Sequence, residues 1–363
     1  MSTNTIGFLG AGGIAKSHAF ALSSLKFYYP DAPEINLEAV HSSRPESREA
    51  FAKKYNFRKA VDFSSFISNT SLDTIFILGP NNIHYAHLEA ALKMPSVKRV
   101  YLEKPVCSNF HEEEKMKYLL KDYGNEKQIQ VGFQMTQTSA IQEALKLWNS
   151  GEFGRPIHFN FTLKHGDYLQ KQYREKRITR LTPAPDGGAM ADLGSHAISL
   201  AVAFLGEDLK ILHALQGGFY EDVPAESDLY SEISIIEQKS KAAGTISASR
   251  VSAGTGDLLA FEIYAENGAL KYTSHLPDTF EYFLEEKNNW VKVFTGSNYL
   301  PATSFPSGHV PGGWLRSLIH AHYVFLTNYP RGVFVPGLKH GLAVQRVVRE
   351  TAEYLKKFRN ENY

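Results

Sequence analysis

A lysine, an aspartate and a histidine have side chains that together could move a proton and stabilise a charged oxygen. Lys104 lies in the segment Glu103-Lys104-Pro105, and Asp192 and His196 are four residues apart in a segment with helical character. On an α-helix that spacing puts two side chains on one face. Histidine can accept the proton of an alcohol near neutral pH, a carboxylate can hold the imidazole, and an ammonium can stabilise a developing alkoxide. The set predicts oxidation of an alcohol or reduction of a carbonyl, and packed or solvated side chains are the alternative.

A glycine-rich turn near the start of the sequence predicts a dinucleotide-binding site. Gly10, Gly12 and Ala15 fit the pattern G-x-G-x-x-A between a predicted strand and a predicted helix. The first glycine permits a tight turn, the second lets the backbone approach a pyrophosphate, and the small third residue allows close packing. The expected cofactor contacts along this turn are Gly10, Gly12, Gly13, Ile14 and Ala15. A glycine-rich turn without a ligand is the alternative.

The end of the second predicted strand indicates which dinucleotide is preferred. A carboxylate at this point would bind the ribose 2′-hydroxyl of NAD and repel a 2′-phosphate. Here Ser43 and Arg44 follow the strand, whereas Glu38 lies inside it. Because a hydroxyl and a guanidinium suit a phosphate, we expect NADP(H) to be favoured and NAD(H) to be possible. A solvated Arg44 is the alternative.

Further candidate contacts lie where a parallel sheet binds ligands, beyond the carboxyl ends of its strands. The expected cofactor contacts here are Pro80, Asn81, His84, Glu103, Lys104 and Gln134. The expected substrate contacts are Lys104, His165, Tyr168, Asp192 and His196, with Asp167, Arg177, His309 and Trp314 as further candidates in variable loops. Polar surface or core packing is the alternative for each. We expect His87 to be exposed, and we expect no metal site because His84 and His87 have no third ligand cluster nearby.

The order of apolar and amphipathic segments predicts an α/β fold of two domains. Strands at Thr5–Leu9, Ile35–Val40, Thr74–Leu78, Arg99–Leu102 and Ile129–Phe133 alternate with helical patterns, as in a doubly wound parallel sheet of the Rossmann type. Strand patterns crowd the segment 210–295 and predict a large, open, mainly antiparallel sheet. We assign 1–134 to a dinucleotide-binding domain, 135–340 to an α+β domain for substrate and oligomerisation, and 341–363 to a C-terminal helix packing near the domain junction.

Composition excludes several classes of protein. The formal net charge is +1, without the basic excess typical of a nucleic-acid binder. The single cysteine excludes an intrachain disulfide, and no uncharged apolar run reaches the length of a membrane-spanning helix. With no leader-like N-terminus, these features favour a cytoplasmic protein that binds neither nucleic acid nor membrane.

The motifs together resemble the glucose–fructose oxidoreductase, inositol dehydrogenase and MocA-like family. The resemblance covers nearly the whole chain and rests on GFLGAGGIA, GPNNIHYAHLEAAL, EKP, VGFQ, GEFGRPI and DLGSH. It implies a Rossmann domain, a second domain whose open sheet often builds a homodimer or homotetramer, and catalytic roles for Lys104, Asp192 and His196. The chain departs from the family after VGF, where Gln134 and Met135 replace the usual Asn or Tyr-Arg.

The resemblance implies an NAD(P)-dependent oxidoreductase that transfers hydride between nicotinamide and a sugar, a cyclitol or a related polyol or carbonyl compound. One alternative is a dinucleotide-bound sugar sensor without turnover, since the fold alone does not require catalysis. Another is a reductase of the same fold that acts on a diol or a tetrapyrrole. The Asp/His pair disfavours the tetrapyrrole reaction, because reducing a conjugated bridge needs no alcohol base.

Overall fold

The computed structural model describes residues 3–177, 181, 188–218, 220–224, 227–296, 313–327 and 332–362. By their contacts the residues form two compact units. Unit 1 comprises Met1–Ser139 and Ser297–Leu342, and unit 2 comprises Ala140–Gly296 and Ala343–Tyr363. None of the described helices is both long enough and apolar enough to cross a membrane.

The sheet of unit 1 has six strands, all paired in parallel, in the order β3-β2-β1-β4-β5-β6. The strands are β1 Asn4–Leu9, β2 Ile35–His41, β3 Lys59–Val61, β4 Thr74–Ile77, β5 Arg99–Leu102 and β6 Gln128–Val131. Most residues of β1, β4, β5 and β6 are buried, which explains the near-continuous apolar runs that predicted them. The predicted Rossmann sheet is confirmed, and the short edge strand β3 is an addition to it.

Helices connect these strands and place several loops at one edge of the sheet. They are α1 Gly13–Tyr28, α2 Pro45–Tyr55, α3 Phe63–Ile67, α4 His84–Lys93 and α5 Phe110–Tyr123. Because the strands are parallel, the loops after β1, β2, β4, β5 and β6 all leave the sheet at its carboxyl edge. Each of the candidate cofactor residues follows one of these strands.

A helix late in the chain belongs to unit 1. Helix α9, Trp314–Leu326, packs on α1, and the ring of Tyr323 stacks on Tyr29 with a centroid distance of 3.7 Å. The sequence pattern grouped this helix with residues 135–340, because nothing local to the helix identifies the distant surface that it covers. The domain limits proposed from the sequence stay a prediction.

Unit 2 is built on an eight-stranded sheet in the order β14-β13-β12-β11-β7-β10-β9-β8. Its strands are β7 Pro156–Lys164, β8 Leu209–Gly217, β9 Tyr230–Glu237, β10 Ala243–Ser249, β11 Leu258–Ala265, β12 Gly268–Thr273, β13 Thr279–Leu284 and β14 Asn289–Phe294. Every pair is antiparallel except β7 and β10, which run parallel. The predicted open, mainly antiparallel sheet is confirmed.

One face of this sheet is covered by helix α8, Ser195–Leu205, which contacts β7 and β10. Alternate residues of β9 are buried, as expected for a strand with one covered face. The remaining helices in sequence order are α6 Ser139–Trp148, α7 Lys171–Lys176 and α10 Leu338–Asn362. A π-helical turn, Met190–Gly194, leads directly into α8 and carries Asp192.

Candidate active site

The glycine turn after β1 has the geometry that its sequence predicts. Gly10 has φ +133°, and its N–H donates to the carbonyl of His41 at 2.9 Å. A Cβ at this position would lie 2.6 Å from the backbone carbon of Leu78, so the turn passes directly over the end of β4. Only glycine fits both the backbone angle and the space.

The next two glycines border open space. Among the described residues, no atom lies within 4 Å of a Cβ built on Gly12 or Gly13. Gly12 is the N-cap of α1 and provides no capping side chain, so the first N–H groups of the helix are available to an anion. Ala15 is fully buried and Ile14 packs on the same core, which fixes the helix against the sheet. Open space beside unpaired N–H groups fits the pyrophosphate of a dinucleotide.

The loop between β2 and α2 carries the residues predicted to contact the ribose. Ser43 and Arg44 are both exposed there. Glu38 is 3% exposed inside β2, and its carboxylate accepts a hydrogen bond from Lys59 at 2.8 Å. That bond lowers the pKa of Glu38, against the opposing effect of burial. Glu38 therefore lies inside the strand, as the sequence predicted, and the structure adds its ion pair with Lys59.

The loop after β4 supplies a buried amide and a buried imidazole. Pro80 precedes a short 3₁₀ turn, Asn81–Ile83, and the Asn81 Nδ2 atom is buried without a hydrogen-bond partner among the described residues. Such an atom at the carboxyl edge of a parallel sheet suits a polar group of a bound cofactor. His84 lies 2.7 Å from the carbonyl of Pro105 and 3.0 Å from that of Gly79 through its two ring nitrogens. Since both nitrogens face backbone, His84 joins two loops, and its role as a cofactor contact stays a prediction.

The prediction that His87 is exposed was wrong. His87 is 8% exposed, and its ring stacks on Phe63 at a centroid distance of 5.0 Å. Burial lowers its pKa to about 4. The sequence did not indicate this, because Phe63 belongs to a short helix that the apolar pattern did not predict.

Behind Lys104 lies a buried chain of three titratable side chains. Glu103 Oε1 is 2.9 Å from Nε2 of His18, and Nδ1 of His18 is 2.9 Å from Nε2 of His322. The other oxygen of Glu103 accepts the backbone N–H of Lys104 at 3.2 Å. The pattern that satisfies these groups has His18 donate to Glu103 and accept from His322. Burial holds the pKa of His322 well below its ordinary value, which fits a neutral ring in this chain.

Glu103 and Gln134, two predicted cofactor contacts, both make contacts with neighbouring protein groups. Gly132 leaves room for the Glu103 carboxylate, since a Cβ there would lie 2.6 Å from Glu103 Oε1. With its amide oriented so that both neighbours are satisfied, Gln134 donates to the carbonyl of Gly132 at 2.8 Å and accepts from the indole N–H of Trp314 at 2.6 Å. Gln134 therefore anchors the start of α9, and its contact with a cofactor stays a prediction. His309, a further candidate of the same late segment, lies outside the described residues.

In unit 2 the predicted helix around Asp192 and His196 is not a continuous α-helix. Asp192 lies in the π-helical turn, and His196 lies in the first turn of α8. A π-turn takes more residues per turn than an α-turn, so the two side chains still lie about one turn apart. His196 is 7% exposed. Wide turns of this kind occur frequently at functional sites.

Sequence reasoning missed the residue that holds Asp192. Arg250 follows β10, is fully buried, and donates from Nη2 to Asp192 Oδ2 at 2.8 Å. The two residues are 58 positions apart, and only the pairing of strands brings them together. An arginine directly after an apolar strand is the single sequence signal for it, and many exposed arginines share that signal.

His165 and Tyr168 lie next to this pair. The His165 Nδ1 atom accepts the Asp167 N–H at 3.2 Å, and burial lowers the pKa of the ring, so the neutral form carries its proton on Nε2. The Tyr168 ring is 4% exposed and lies 4.7 Å from the Arg250 guanidinium. Tyr168 is therefore a packing residue of this cluster, and a substrate contact through it stays a prediction.

Each unit thus assembles its own part of the predicted site. In unit 1 the carboxyl edge of the sheet collects the candidate residues Gly10, Gly12, Gly13, Ile14, Ala15, Ser43, Arg44, Pro80, Asn81, Glu103 and Lys104. In unit 2 the residues Asp192, His165 and Tyr168 surround Arg250, and His196 follows on the same helical segment. Arg177 and Asp167 are exposed. Among the described residues no three His, Cys, Asp or Glu side chains could together hold a metal ion.

Family models match segments of both units. Residues 4–133 match a family model described as an oxidoreductase family with an NAD-binding Rossmann fold, and residues 141–271 match the GFO/IDH/MocA C-terminal domain. The chain belongs to the Gfo/Idh/MocA family of oxidoreductases. The predicted family is confirmed, and with it an oxidoreductase that binds NAD(H).

The individual relatives are distant in sequence and similar in fold. The levoglucosan dehydrogenase of Pseudarthrobacter phenanthrenivorans is 23% identical over 95% of this chain and 94% of its own length. The glucose-6-phosphate 3-dehydrogenase of Bacillus subtilis is 24% identical over 76% of each chain. A structure of levoglucosan dehydrogenase in complex with NADH and levoglucosan superposes with a TM-score of 0.84, at 20% identity over 98% of both chains. The last comparison shows that the fold is shared over 98% of this chain.

Proposed function

We propose that this protein is a dehydrogenase that oxidises a secondary alcohol of a sugar, a cyclitol or a related polyol, or reduces the matching ketone. Its similarity to dehydrogenases named for levoglucosan and for glucose 6-phosphate supports this class of substrate. The observation that carries the proposal is a titratable imidazole, His196, about one helical turn after a carboxylate held by a buried arginine.

In this proposal the three predicted residues divide the work on one hydroxyl group. His196 takes the hydroxyl proton during oxidation and returns it during reduction. Asp192 fixes the orientation of the imidazole or of a neighbouring hydroxyl. Lys104 stabilises the negative charge that develops on the oxygen. When bound, the nicotinamide supplies the hydride acceptor or donor.

Turnover with a panel of sugars and cyclitols tests the assignment. Absorbance of the reduced nicotinamide would be followed for the parent protein, His196→Ala and Lys104→Met, with His213→Gln on the exposed β8 surface as a matched control. We expect each site variant to lose roughly 10²–10⁴-fold in kcat and the control to match the parent. Dinucleotide binding, measured by fluorescence, should persist in all four proteins.

Two outcomes would overturn the proposal. Undiminished turnover in both site variants would remove His196 and Lys104 from the chemistry. Sugar-induced changes in the fluorescence of bound cofactor, without oxidation of any substrate in the panel, would instead indicate a sensor.

We further propose that NADP(H) is the preferred dinucleotide. Ser43 and Arg44 are exposed at the ribose end of the site, and the nearest strand carboxylate, Glu38, is ion-paired. Arg44→Ala should lower kcat/KM for NADP about tenfold or more while leaving NAD nearly unaffected, because a phosphate–guanidinium contact is charge-assisted. Lys53→Ala removes an equal charge from the exposed surface of α2 and serves as the control. Equal losses for both cofactors, or a preference for NAD in the parent, would contradict this choice.

Assembly into a homodimer or homotetramer through the large sheet is a separate proposal. Large apolar side chains are exposed on three of its strands: Ile157 on β7, Leu212 and Leu215 on β8, and Trp290 and Phe294 on β14. They lie on the two edge strands and on one interior strand of the sheet, and assembly through the sheet would remove such apolar surface from water. Light scattering after size-exclusion chromatography measures the mass directly, and a monomer at micromolar concentration would refute the proposal.

A further inference from the structure

Arg250 is a charged side chain placed completely inside unit 2. It is the largest of the fully buried side chains among the described residues. Its Nη2 donates to Asp192 Oδ2 at 2.8 Å, and its guanidinium lies over the ring of Tyr168 at 4.7 Å. A buried guanidinium is strongly unfavourable unless an anion compensates it. Asp192, whose side chain is 17% exposed, supplies that anion at the border of the buried region.

The backbone around Arg250 is held at both ends. Its N–H donates to the carbonyl of Leu229 at 2.8 Å, and its own carbonyl accepts the N–H of Tyr168 at 3.1 Å. These bonds tie the end of β10 to the segment before β9 and to the turn after β7. Because the backbone of Arg250 is held by two hydrogen bonds and its guanidinium packs against the Tyr168 ring, the N–H that it donates to Asp192 has a fixed position.

A second carboxylate near Arg250 is a weaker competitor for it. Asp228 is buried, and that burial raises its pKa. Its Oδ2 already accepts the N–H of Met190 at 2.9 Å, in the same π-helical turn that carries Asp192. Asp228 therefore fixes the backbone of the turn, and Arg250 fixes the Asp192 side chain that projects from it.

We propose that Arg250 is a positioning residue for the reaction: it keeps Asp192 ionised and in one orientation, so that His196 alone exchanges the proton. This inference rests on the proposed dehydrogenase function and adds the residue on which the Asp/His pair depends. It assigns Asp192 a constant charge through the catalytic cycle. A nearby cation favours the carboxylate form, and a fixed donor favours one rotamer of it.

The pH profile of kcat/KM separates this role from a purely structural one. Within the part of the chain that the structure describes, the charged and titratable groups next to Asp192 are Arg250 after β10, His165 after β7, Asp228 before β9 and His196 in α8. Arg250→Met removes the only permanent cation of this set. The protonated form of Asp192 then becomes more favourable, and the acid limb of the profile should move upward by about 1–3 pH units.

The experiment compares Arg250→Met, Arg250→Lys and Arg346→Met with the parent protein. Arg346 pairs with Glu350 on α10 and controls for loss of an arginine–carboxylate pair elsewhere in unit 2. We expect Arg250→Met to lose roughly 10²-fold or more, mainly in kcat, Arg250→Lys to recover part of that loss, and Arg346→Met to stay within about twofold. Dinucleotide affinity should stay within about twofold in every variant.

Two further measurements keep the inference testable if a variant folds poorly or no substrate is found. Carbon-13 NMR of aspartate carboxyls, with Asp192→Asn for assignment, should show Asp192 titrating at higher pH in Arg250→Lys than in the parent, because a shorter side chain places the cation farther away. Urea midpoints of Arg250→Met, Asp192→Asn and the double variant should be non-additive. If the parent turns over no sugar, the dehydrogenase proposal fails, whereas the NMR and urea results still report on the pair. An unchanged acid limb, or an Asp192 titration indifferent to residue 250, would overturn the inference.

Discussion

His18 is the central member of the buried chain behind Lys104, and replacing it by leucine would break both links. The variant loses the contact to Glu103 at 2.9 Å and the contact to His322 at 2.9 Å. Leucine is apolar and similar in size, so it can still pack against the rings of Phe76 and Tyr101 that His18 contacts. The principal loss is therefore polar.

The expected loss of stability in His18→Leu depends on which buried polar groups lose their hydrogen-bond partners. A buried hydrogen bond to a charged group contributes about 1.5–3 kcal/mol, and a buried polar group without a partner costs about 1–3 kcal/mol. Glu103 keeps the N–H of Lys104, and His322 loses its ring partner, so we expect a total near 3–5 kcal/mol for His18→Leu. Local opening around β5 should become roughly 10²–10⁴ times more frequent.

Hydrogen exchange read by mass spectrometry measures this opening peptide by peptide. The peptide over residues 99–106 should exchange faster in His18→Leu, whereas peptides from the sheet of unit 2 should not change. His18→Gln can still donate to Glu103 and should recover about half of the loss. His18→Leu with Glu103→Leu removes both partners and should be more stable than the single variant, because no buried carboxylate is stranded.

The reasoning would be refuted by an exchange rate in residues 99–106 that changes less than about threefold in His18→Leu. It would also be refuted if adding Glu103→Leu made the protein still less stable, because the carboxylate would then have had another adequate partner.

Three further predictions concern single positions. Gly10→Ala should lose more than about 2 kcal/mol of unfolding free energy in urea, because the new Cβ would meet backbone atoms and φ is +133°. Gly12→Ala should unfold like the parent and bind NADH at least tenfold more weakly in a fluorescence titration, because its new Cβ fills only the space for the ligand. His87→Phe should flatten the pH dependence of stability. In the parent the folded pKa of His87, about 4, lies below the unfolded value of 6.5, so stability that is present above pH 6.5 is lost as the pH falls toward 4, by up to about 3 kcal/mol. Equal slopes of unfolding free energy against pH in both proteins would contradict this. Gly132→Ala should displace the Glu103 carboxylate and lower kcat, with or without a fall in melting temperature. A variant with the kcat and the melting temperature of the parent would show that the carboxylate can move without effect.

Local patterns sufficed for the elements that a single segment defines. The apolar runs predicted four buried parallel strands, because burial on both faces strongly restricts residue type. The glycine pattern predicted the turn after β1, because a positive φ restricts residue type as strongly. The boundaries of β5 were predicted correctly to the residue. Family resemblance then supplied the expected placement of Lys104, Asp192 and His196.

Features that depend on distant partners could not be predicted. The parallel pairing of β7 with β10, the packing of α9 on α1 and the Asp192–Arg250 bond each join residues far apart in sequence. The π-turn at Met190–Gly194 has the composition of an ordinary helix start, so the pattern predicted an α-helix. His84 and His87 were read from their own helix alone, and the groups that enclose them come from other loops.

The central position of β7 has a consequence for biosynthesis. Both of its partners, β10 and β11, come later in the chain, and a paired residue such as Thr162 waits for Ser247, which is 85 positions downstream. At about 5–20 residues per second, a ribosome needs roughly 4–17 s to make that length. During this interval an apolar strand leaves the ribosome with both edges unpaired, which makes it a natural target for chaperones and the first place to seek aggregation when expression is forced.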